Sequence, residues 1–323
     1  MTLDAPLAAA VTLRRAYGGN DCDAADVTRQ LQLAHVLLDG GYDGVTTLDE
    51  ALAGGDTGLG TVDRLDGELV VVDGEPWRVN WQGNAEIMPG QTRTPFAVVS
   101  NLDDARVTRV RDIDRDQVLT AITDLAQAPG SVLTVRLEGL FDYVLVRSVP
   151  PQEPPYRPYA QVCASDEVRW EHRSFYGVFV GFVFPDLSPG AAIPGLHLHG
   201  LDRMRTTGGH NHQMHVRDAK LSVSVSGEVV VQLPERTMTD LLETPAPMRR
   251  VQRELLRLGS AGPEQLAAAL GVPESQVRQR LAWLTDRGYV VQDRSGAEAV
   301  WRPSLRTPGL RSSGRVAQVL DSL

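Results

Sequence analysis

The histidine stretch, residues 193–210, constrains the fold of this chain more than any other segment. Its sequence is IPGLHLHGLDRMRTTGGH, and five of the chain's seven histidines lie in it or within five residues after it. His197 and His199 are two residues apart, so on an extended strand both imidazoles leave the same face. A Gly-Gly pair directly before His210 permits a tight turn. The stretch therefore predicts a strand and a return that bring three imidazoles together.

These imidazoles predict a metal site formed by His197, His199 and His210. Three neutral imidazoles on one centre suit zinc or another divalent first-row metal, and they leave coordination positions open for a substrate. The alternative is that these are exposed loop histidines, or strand-end histidines satisfied by hydrogen bonds. A lone HxH word carries little weight, but HxH followed by GGH favours the metal.

Length and composition indicate a globular chain. With 323 residues, of which 42% are hydrophobic, we expect two domains and a sizeable core. The opening MTLDAPLAAAVTLRRAYGG does not resemble a secretory signal, and no apolar run is long enough to span a bilayer. Cys22 and Cys163 are too few for a disulfide framework. We therefore expect a cytoplasmic protein without a membrane partner.

The charge distribution indicates a domain boundary near residue 245. Residues 249–315 contain twelve arginines and six acidic residues, a net charge of +6. The whole chain has a formal charge of −9, so the remainder has −15. Such a change of sign is typical of a boundary between domains. We expect a poorly ordered lead-in, a metal-binding domain, a small second domain and a tail, at residues 1–25, 26–244, 245–303 and 304–323.

Hydrophobic periodicity predicts a mainly β first domain with a few helices. Spacing of apolar residues predicts helices at residues 27–38, 47–53 and 116–127. Alternation predicts hairpins at residues 69–79, 132–149 and 221–233. The nearly all-apolar segment 177–184 predicts a strand covered on both faces and leads directly into the histidine stretch.

Four segments of this domain resemble the α-acetolactate decarboxylase family. They are HVLLDGGYDGVTTLDEALAGGDTGLGTVDRLDGELVVVDG from His35, TPFAVVSN at residues 94–101, FDYVLVRSVPPQEPPY at residues 141–156, and PGLHLHGLDRMRTTGGH of the histidine stretch. The resemblance covers about residues 30–235, in shared order and spacing. It implies an α+β fold with a two-sheet mixed β core, a metal between the sheets that is usually zinc, and commonly a homodimer.

The resemblance also assigns site residues. His197, His199 and His210 match the family's three metal-binding histidines. Glu68, in the word DGEL, matches its first active-site glutamate, and Arg147 matches its active-site arginine. Without the resemblance, exposure statistics of charged residues favour a solvated strand-start acid and an outward-facing arginine at these two positions.

Two features depart from the family. Its second active-site glutamate, near the C-terminus, has no clear counterpart, and Asp240 and Glu243 are candidates by proximity alone. The family tends to be apolar just after GGH, where this chain has His212 and His215. An extended His212 would face the same way as His210 and could replace the missing acid. The favoured interpretation of His212 is a partly exposed strand histidine.

The function that the resemblance implies is that of a carboxy-lyase of acetoin biosynthesis, which decarboxylates 2-acetolactate or a related 2-hydroxy-3-oxo acid. A divalent cation that chelates the hydroxyl and ketone oxygens would stabilise the enediolate. Arg147 would hold the departing carboxylate, and Glu68 would ligate the metal or relay a proton. The alternatives are an enzyme of specialised metabolism with a changed substrate or reaction, and a ligand-sensing DNA-binding regulator.

The second domain resembles a winged helix-turn-helix. Helical patterns at residues 248–258, 263–270 and 274–287 precede an alternating segment at 289–301. The third helix would present Ser275, Gln276, Arg278 and Gln279 to a major groove, and Arg294 in the wing could reach phosphate. The net +6 fits DNA, whereas the −15 of the remaining chain opposes it. Docking of subunits is the favoured role, with DNA binding as the alternative.

Overall fold

The computed structural model describes residues 7–14, 27–154, 156–185, 192–234, 246–258, 260–286, 289–293 and 299–303. In chain order the strands are β1 (Leu7–Arg14), β2 (Val27–Leu31), β3 (Thr46–Thr47), β4 (Thr57–Thr61), β5 (Glu68–Val72), β6 (Glu75–Val79), β7 (Ala85–Ile87), β8 (Arg93–Thr94), β9 (Phe96–Ser100), β10 (Arg106–Asp114), β11 (Val132–Ser148), β12 (Val168–Phe184), β13 (Gly195–Asp202), β14 (Gly208–Ser226), β15 (Glu228–Pro234), β16 (Val290–Asp293) and β17 (Val300–Pro303). The helices are α1 (Ala34–Leu38), α2 (Leu48–Ala51), α3 (Arg115–Ala126), α4 (Tyr159–Asp166), α5 (Ala246–Leu258), α6 (Pro263–Leu270) and α7 (Glu274–Asp286), with a 3₁₀ turn at Asp63–Leu65.

Two sheets form the core of the first domain. The larger has eight strands in the order β1-β15-β2-β9-β4-β5-β6-β7, and all its pairings are antiparallel except β15–β2. The smaller has five strands in the order β10-β14-β11-β12-β13. Its strand β13 also pairs with the start of β14, so four strands close on themselves at that end. This closure brings the histidine stretch back onto its own sheet.

Apolar faces of the two sheets pack against each other. Valines of β5 and β6 lie against Val178 and Val180 of β12. All five residues of β5 are buried, as expected of a strand covered on both sides. Helix α3 covers the other face of the smaller sheet through Val118 and Ile122. It begins with a capping box, in which Asp114 accepts from the backbone N–H of Gln117.

The C-terminal domain has its own core. Helices α5, α6 and α7 pack with β16 and β17 around a cluster of buried side chains, Val251, Leu255, Ala261, Leu266, Val277, Leu281, Leu284, Val290 and Trp301. The two strands pair antiparallel, as the wing of a winged helix does. The predicted α+β fold, with a two-sheet core and a small winged-helix domain, is confirmed. Among the described residues, no helix is long and apolar enough to cross a membrane.

Three predicted local elements are wrong. Residues 132–149, predicted as a hairpin, contain the single strand β11, and residues 221–233, also predicted as a hairpin, belong to β14 and β15, which lie in different sheets. The lead-in contains β1, which pairs antiparallel with β15. The segment predicted as one helix over residues 27–38 contains β2 and then the short α1. Strand β2 lies between β15 and β9, so pairing with distant strands outweighs its local helical spacing. Gln32 follows with φ 68°, which separates the strand from the helix. The predicted domain boundary near residue 245 lies outside the described residues.

Candidate active site

Three histidines converge where β13 meets β14. His197 and His199 lie two residues apart on β13, and His210 lies opposite His199 in the β13–β14 register. Nε2 of His197 is 3.2 Å from Nε2 of His199 and 3.0 Å from Nδ1 of His210. One ligand nitrogen from each ring lies within 4.8 Å of the other two. The predicted strand and return bring the three imidazoles to one point.

The donor set fits a metal cation. His199 Nδ1 donates to the carbonyl oxygen of Leu69 at 2.7 Å, which leaves the lone pair of Nε2 directed at the other two rings. His199 and His210 are 2% and 1% exposed, so water cannot satisfy these nitrogens. Three imidazole nitrogens that meet at one point cannot all be paired through hydrogen bonds to one another. One divalent cation can accept a lone pair from all three. The residues therefore suit a first-row metal.

Burial keeps these imidazoles neutral. It lowers the pKa of His199 to about 3, although the hydrogen bond to Leu69 opposes the shift. Burial also lowers the pKa of His197 and of His210 well below the ordinary value, and the positive charge of Arg147 acts in the same direction. Only neutral imidazoles bind a metal, so these shifts favour the protonation state that a cation requires.

Glu68 and Arg147 form a buried ion pair beside the histidines. Oε1 of Glu68 lies 2.6 Å from Nη1 of Arg147, and Oε2 lies 3.3 Å from Nε2 of His199. Arg147 is 1% exposed and lies opposite His210 in the β11–β14 register. Burial raises the pKa of Glu68 to about 7, although the charge of Arg147 opposes the shift. Neither residue is the solvated charge that exposure statistics alone favour.

The turn before Glu68 explains why its sequence is DGEL. Arg64 and Leu65 both have positive φ, at 64° and 61°, and Gly67 follows at 89°. A Cβ atom on Gly67 would lie 2.5 Å from the carbonyl oxygen of Val79 on the neighbouring strand. Only glycine fits this close approach. The turn thus places Glu68 as the first residue of β5, beneath the histidines.

Glu167 is a site residue that the sequence analysis missed. It lies between α4 and β12, its side chain is 6% exposed, and its Oε2 is 3.3 Å from Nε of Arg147. Arg169 Nε donates to its Oε1, and Nε2 of His212 lies 3.4 Å from the same oxygen. Burial raises the pKa of Glu167, but His212, Arg147 and Arg169 outweigh burial and bring the pKa to about 2. Local sequence carries no signal for this residue, because strand pairing creates its contacts.

The other predicted candidates differ in their placement. The ring of His212 lies 5.5 Å from that of His210, and its side chain is largely buried, so it is closer to the site than the favoured interpretation implied. His215 is half-exposed and lies 3.5 Å from Asp142, away from the histidine cluster. Asp240 and Glu243 lie outside the described residues.

An apolar pocket between the sheets reaches one histidine of the cluster. His197 forms part of its wall together with side chains from both sheets, Gln30, Leu59, Phe96, Val98, Phe182, Phe184 and Ile193. Most of these side chains are hydrocarbon, so the pocket favours alkyl groups over charged ones.

Comparison with known proteins agrees with this geometry. The family model of α-acetolactate decarboxylase matches residues 29–241, about two thirds of the chain. The chain belongs to the α-acetolactate decarboxylase family. The Methylococcus capsulatus α-acetolactate decarboxylase is 35% identical over 200 residues, which cover 62% of this chain and 76% of that protein. The Methanosarcina mazei α-acetolactate decarboxylase is 32% identical over 213 residues, which cover 66% of this chain and 74% of that protein.

Solved structures of the family share the fold. The crystal structure of α-acetolactate decarboxylase from Bacillus subtilis strain 168 matches with a TM-score of 0.62 and 30% identity, and the match covers 65% of this chain and 89% of that one. A Staphylococcus aureus protein similar to α-acetolactate decarboxylase has a TM-score of 0.64 at 21% identity, which supports the fold alone; its match covers 80% of this chain and 99% of that one. The family model of the IclR helix-turn-helix domain matches residues 255–294. The resemblances of both domains to known families are confirmed.

Proposed function

We propose that this protein is a metal-dependent carboxy-lyase that decarboxylates 2-acetolactate or a closely related 2-hydroxy-3-oxo acid. The observation that carries the proposal is the buried Glu68–Arg147 pair beside three converging histidines. A buried arginine next to a cation site is suited to a small anionic substrate, because guanidinium binds a carboxylate through two hydrogen bonds. Among the divalent first-row metals we propose zinc, which three imidazoles commonly bind with an open position.

Arg147 and Glu68 have separate roles in the proposed decarboxylation. The bond to the carboxylate carbon breaks, carbon dioxide leaves, and the electron pair remains on the carbon skeleton until one proton is taken up. A bound divalent metal supplies the positive charge that stabilises this electron pair. Arg147 holds the carboxylate before it leaves. Glu68 lies beside both Arg147 and His199, where its carboxyl group can deliver that proton to the carbon.

The test is release of carbon dioxide and acetoin from acetolactate by the purified, metal-loaded protein. His199→Ala should lose stoichiometric metal and activity. The matched control is His172→Ala, since His172 is outside the histidine cluster and lies 3.4 Å from Thr207 Oγ1. No carbon dioxide from acetolactate at full metal content would overturn the proposed substrate. Equal metal content in both variants would overturn the proposed metal site.

A second candidate function is DNA binding by the C-terminal domain. The match to an IclR helix-turn-helix model favours DNA binding over docking of subunits, the role that the net −15 of the remaining chain favours. Helix α7 buries Val277 and Leu281 in its domain core and exposes a polar face, which consists of Ser275, Gln276, Arg278 and Gln279. Nη2 of Arg278 lies 2.6 Å from Oε1 of Glu274. Such a face has the composition that major-groove contacts require.

Salt dependence separates DNA binding from docking. The full chain should bind duplex fragments of its own promoter with an affinity that falls steeply as salt rises, because bound phosphates release counterions. Arg278→Ala should weaken specific binding by about 1–3 kcal/mol if this side chain contacts a base. Absence of salt-sensitive binding, together with a changed oligomeric state on deletion of residues 246–323, would favour docking and overturn the DNA proposal.

A further inference from the structure

Glu167 is a buried carboxylate for which the reaction steps above give no role. Its Oε2 lies 3.3 Å from Nε of Arg147, whereas Glu68 contacts Nη1 of the same guanidinium at 2.6 Å. The side chains of Glu167 and Arg147 are 6% and 1% exposed. Arg147 is therefore held between two buried carboxylates, each at a different nitrogen.

A second arginine explains the need for this carboxylate. The β11–β12 register places Arg147 directly opposite Arg169. Like charges at opposite positions of an antiparallel pair destabilise the pair, and water screens part of this effect here because the Arg169 side chain is 54% exposed. Arg169 Nε donates to Oε1 of Glu167, so this one carboxylate contacts both arginines. Nε2 of His212 lies 3.4 Å from the same oxygen.

We propose that Glu167 is the positioning residue for Arg147 in the decarboxylation. It holds the guanidinium at Nε and offsets the charge of Arg169, so Arg147 keeps its amino groups beside Glu68 and the histidines. Arg147 lies opposite His210 in the β11–β14 register, so its orientation determines whether a substrate carboxylate meets the guanidinium next to the metal-binding rings. This inference rests on the proposed function, because it concerns how Arg147 is held for the substrate.

Steady-state kinetics test this role. Glu167→Ala should raise KM for acetolactate about tenfold and change kcat less than about threefold, because the grip of Arg147 on the carboxylate acts mostly in the ground state. Glu167→Asp should keep KM closer to that of the parent than Glu167→Ala does, since it keeps the negative charge that pairs with the guanidinium. Arg169→Ala, added to Glu167→Ala, should restore part of the loss by removing the opposing charge. The matched control is Glu171→Ala, which removes an exposed acid from β12, the strand that also contains Arg169.

The outcomes distinguish this proposal from the function on which it rests. If the parent protein decarboxylates acetolactate and Glu167→Ala leaves KM unchanged, or lowers only metal content, the positioning role is overturned. If the parent releases no carbon dioxide, the proposed function fails. The positioning role is then tested by NMR, through the rate at which the Arg147 Nε proton exchanges with solvent. The signal of this proton is assigned by its absence from Arg147→Lys. Exchange at least about tenfold faster in Glu167→Ala than in the parent and in Glu167→Asp supports the role, because loss of the neighbouring negative charge frees the guanidinium to reach solvent. Equal exchange rates overturn it.

Discussion

The pH dependence of metal affinity offers a sharp test of the preformed histidine site. A metal competes with protons for each ligand, so protonation of an imidazole weakens binding. If the three histidines kept ordinary pKa values near 6.5, each would bind about thirtyfold more weakly at pH 5, and the three together about 10⁴–10⁵-fold, or about 6 kcal/mol. Burial lowers the pKa of His199 to about 3 and those of His197 and His210 well below the ordinary value. We therefore expect almost none of this loss.

The carboxylate of Glu68 should still make the metal affinity depend on pH to some extent. Burial raises the pKa of Glu68 to about 7, and its Oε2 lies 3.3 Å from His199 Nε2. Protonation of Glu68 between pH 7 and pH 5 removes one negative charge beside the metal, which should weaken binding by at most about fiftyfold. The logarithm of the affinity should thus change with pH with a slope of at most about one, where three titrating histidines would give a slope of about three.

Equilibrium dialysis against zinc-buffered solutions between pH 5 and pH 7 measures this slope, with circular dichroism to verify that the protein stays folded. The matched variant is Glu68→Gln, which removes the titrating carboxylate and keeps the shape of the side chain. Its affinity should be nearly independent of pH over this range. A slope of two or more in Glu68→Gln would refute the reasoning, because it would mean that the histidines themselves take up protons.

Three further expectations follow from the geometry. Arg147→Lys should lower kcat/KM for acetolactate by about 10- to 100-fold in a steady-state assay, because a lysine cannot grip a carboxylate at two points. Gly209→Ala should lower zinc affinity in dialysis more than Gly74→Ala does. Both glycines have positive φ, but only a Cβ at Gly209 meets a neighbour, the carbonyl oxygen of Arg147 at 2.7 Å. Glu167 has a folded pKa of about 2 against 4.5, so it stabilises the fold above pH 4.5, by about 3 kcal/mol, and this contribution is lost as pH falls towards 2. Urea unfolding of Glu167→Gln should lack this dependence.

The cluster of three histidines could be predicted from sequence because their proximity is local. His197 and His199 share a strand face by their spacing, and His210 returns after a short turn, so little of the remaining fold is needed. Glu68 and Arg147 are different. They are 79 residues apart and meet only because β5 of one sheet packs against the strands of the other. Without the family resemblance, both would be interpreted as exposed charges.

The features that sequence analysis missed depend on pairing between distant strands. Glu167 enters the site because β11 and β12 place Arg147 opposite Arg169, and no local pattern encodes that register. Strand β2 was predicted as part of a helix because its apolar spacing is ambiguous over so few residues. The winged domain was predicted well, since the spacing of its apolar residues and the Gly and Pro residues between its helices are local signals. The homodimer, the cytoplasmic location and the identity of the metal stay predictions.

The charges at the site account for the order of the reaction steps. We infer that Arg147 is the shared partner of Glu68 and of an incoming substrate carboxylate, because Glu167 also contacts Arg169 and offsets the charge of the buried guanidinium only in part. If Glu68 holds a proton, it carries no charge, so little free energy is lost when the substrate carboxylate takes its place at Arg147. When carbon dioxide leaves, the substrate's negative charge moves to the carbon skeleton, away from Arg147. Transfer of the Glu68 proton to that carbon would create a new carboxylate beside Arg147, so the guanidinium would again have a second anion, in addition to Glu167, in the step that completes the product.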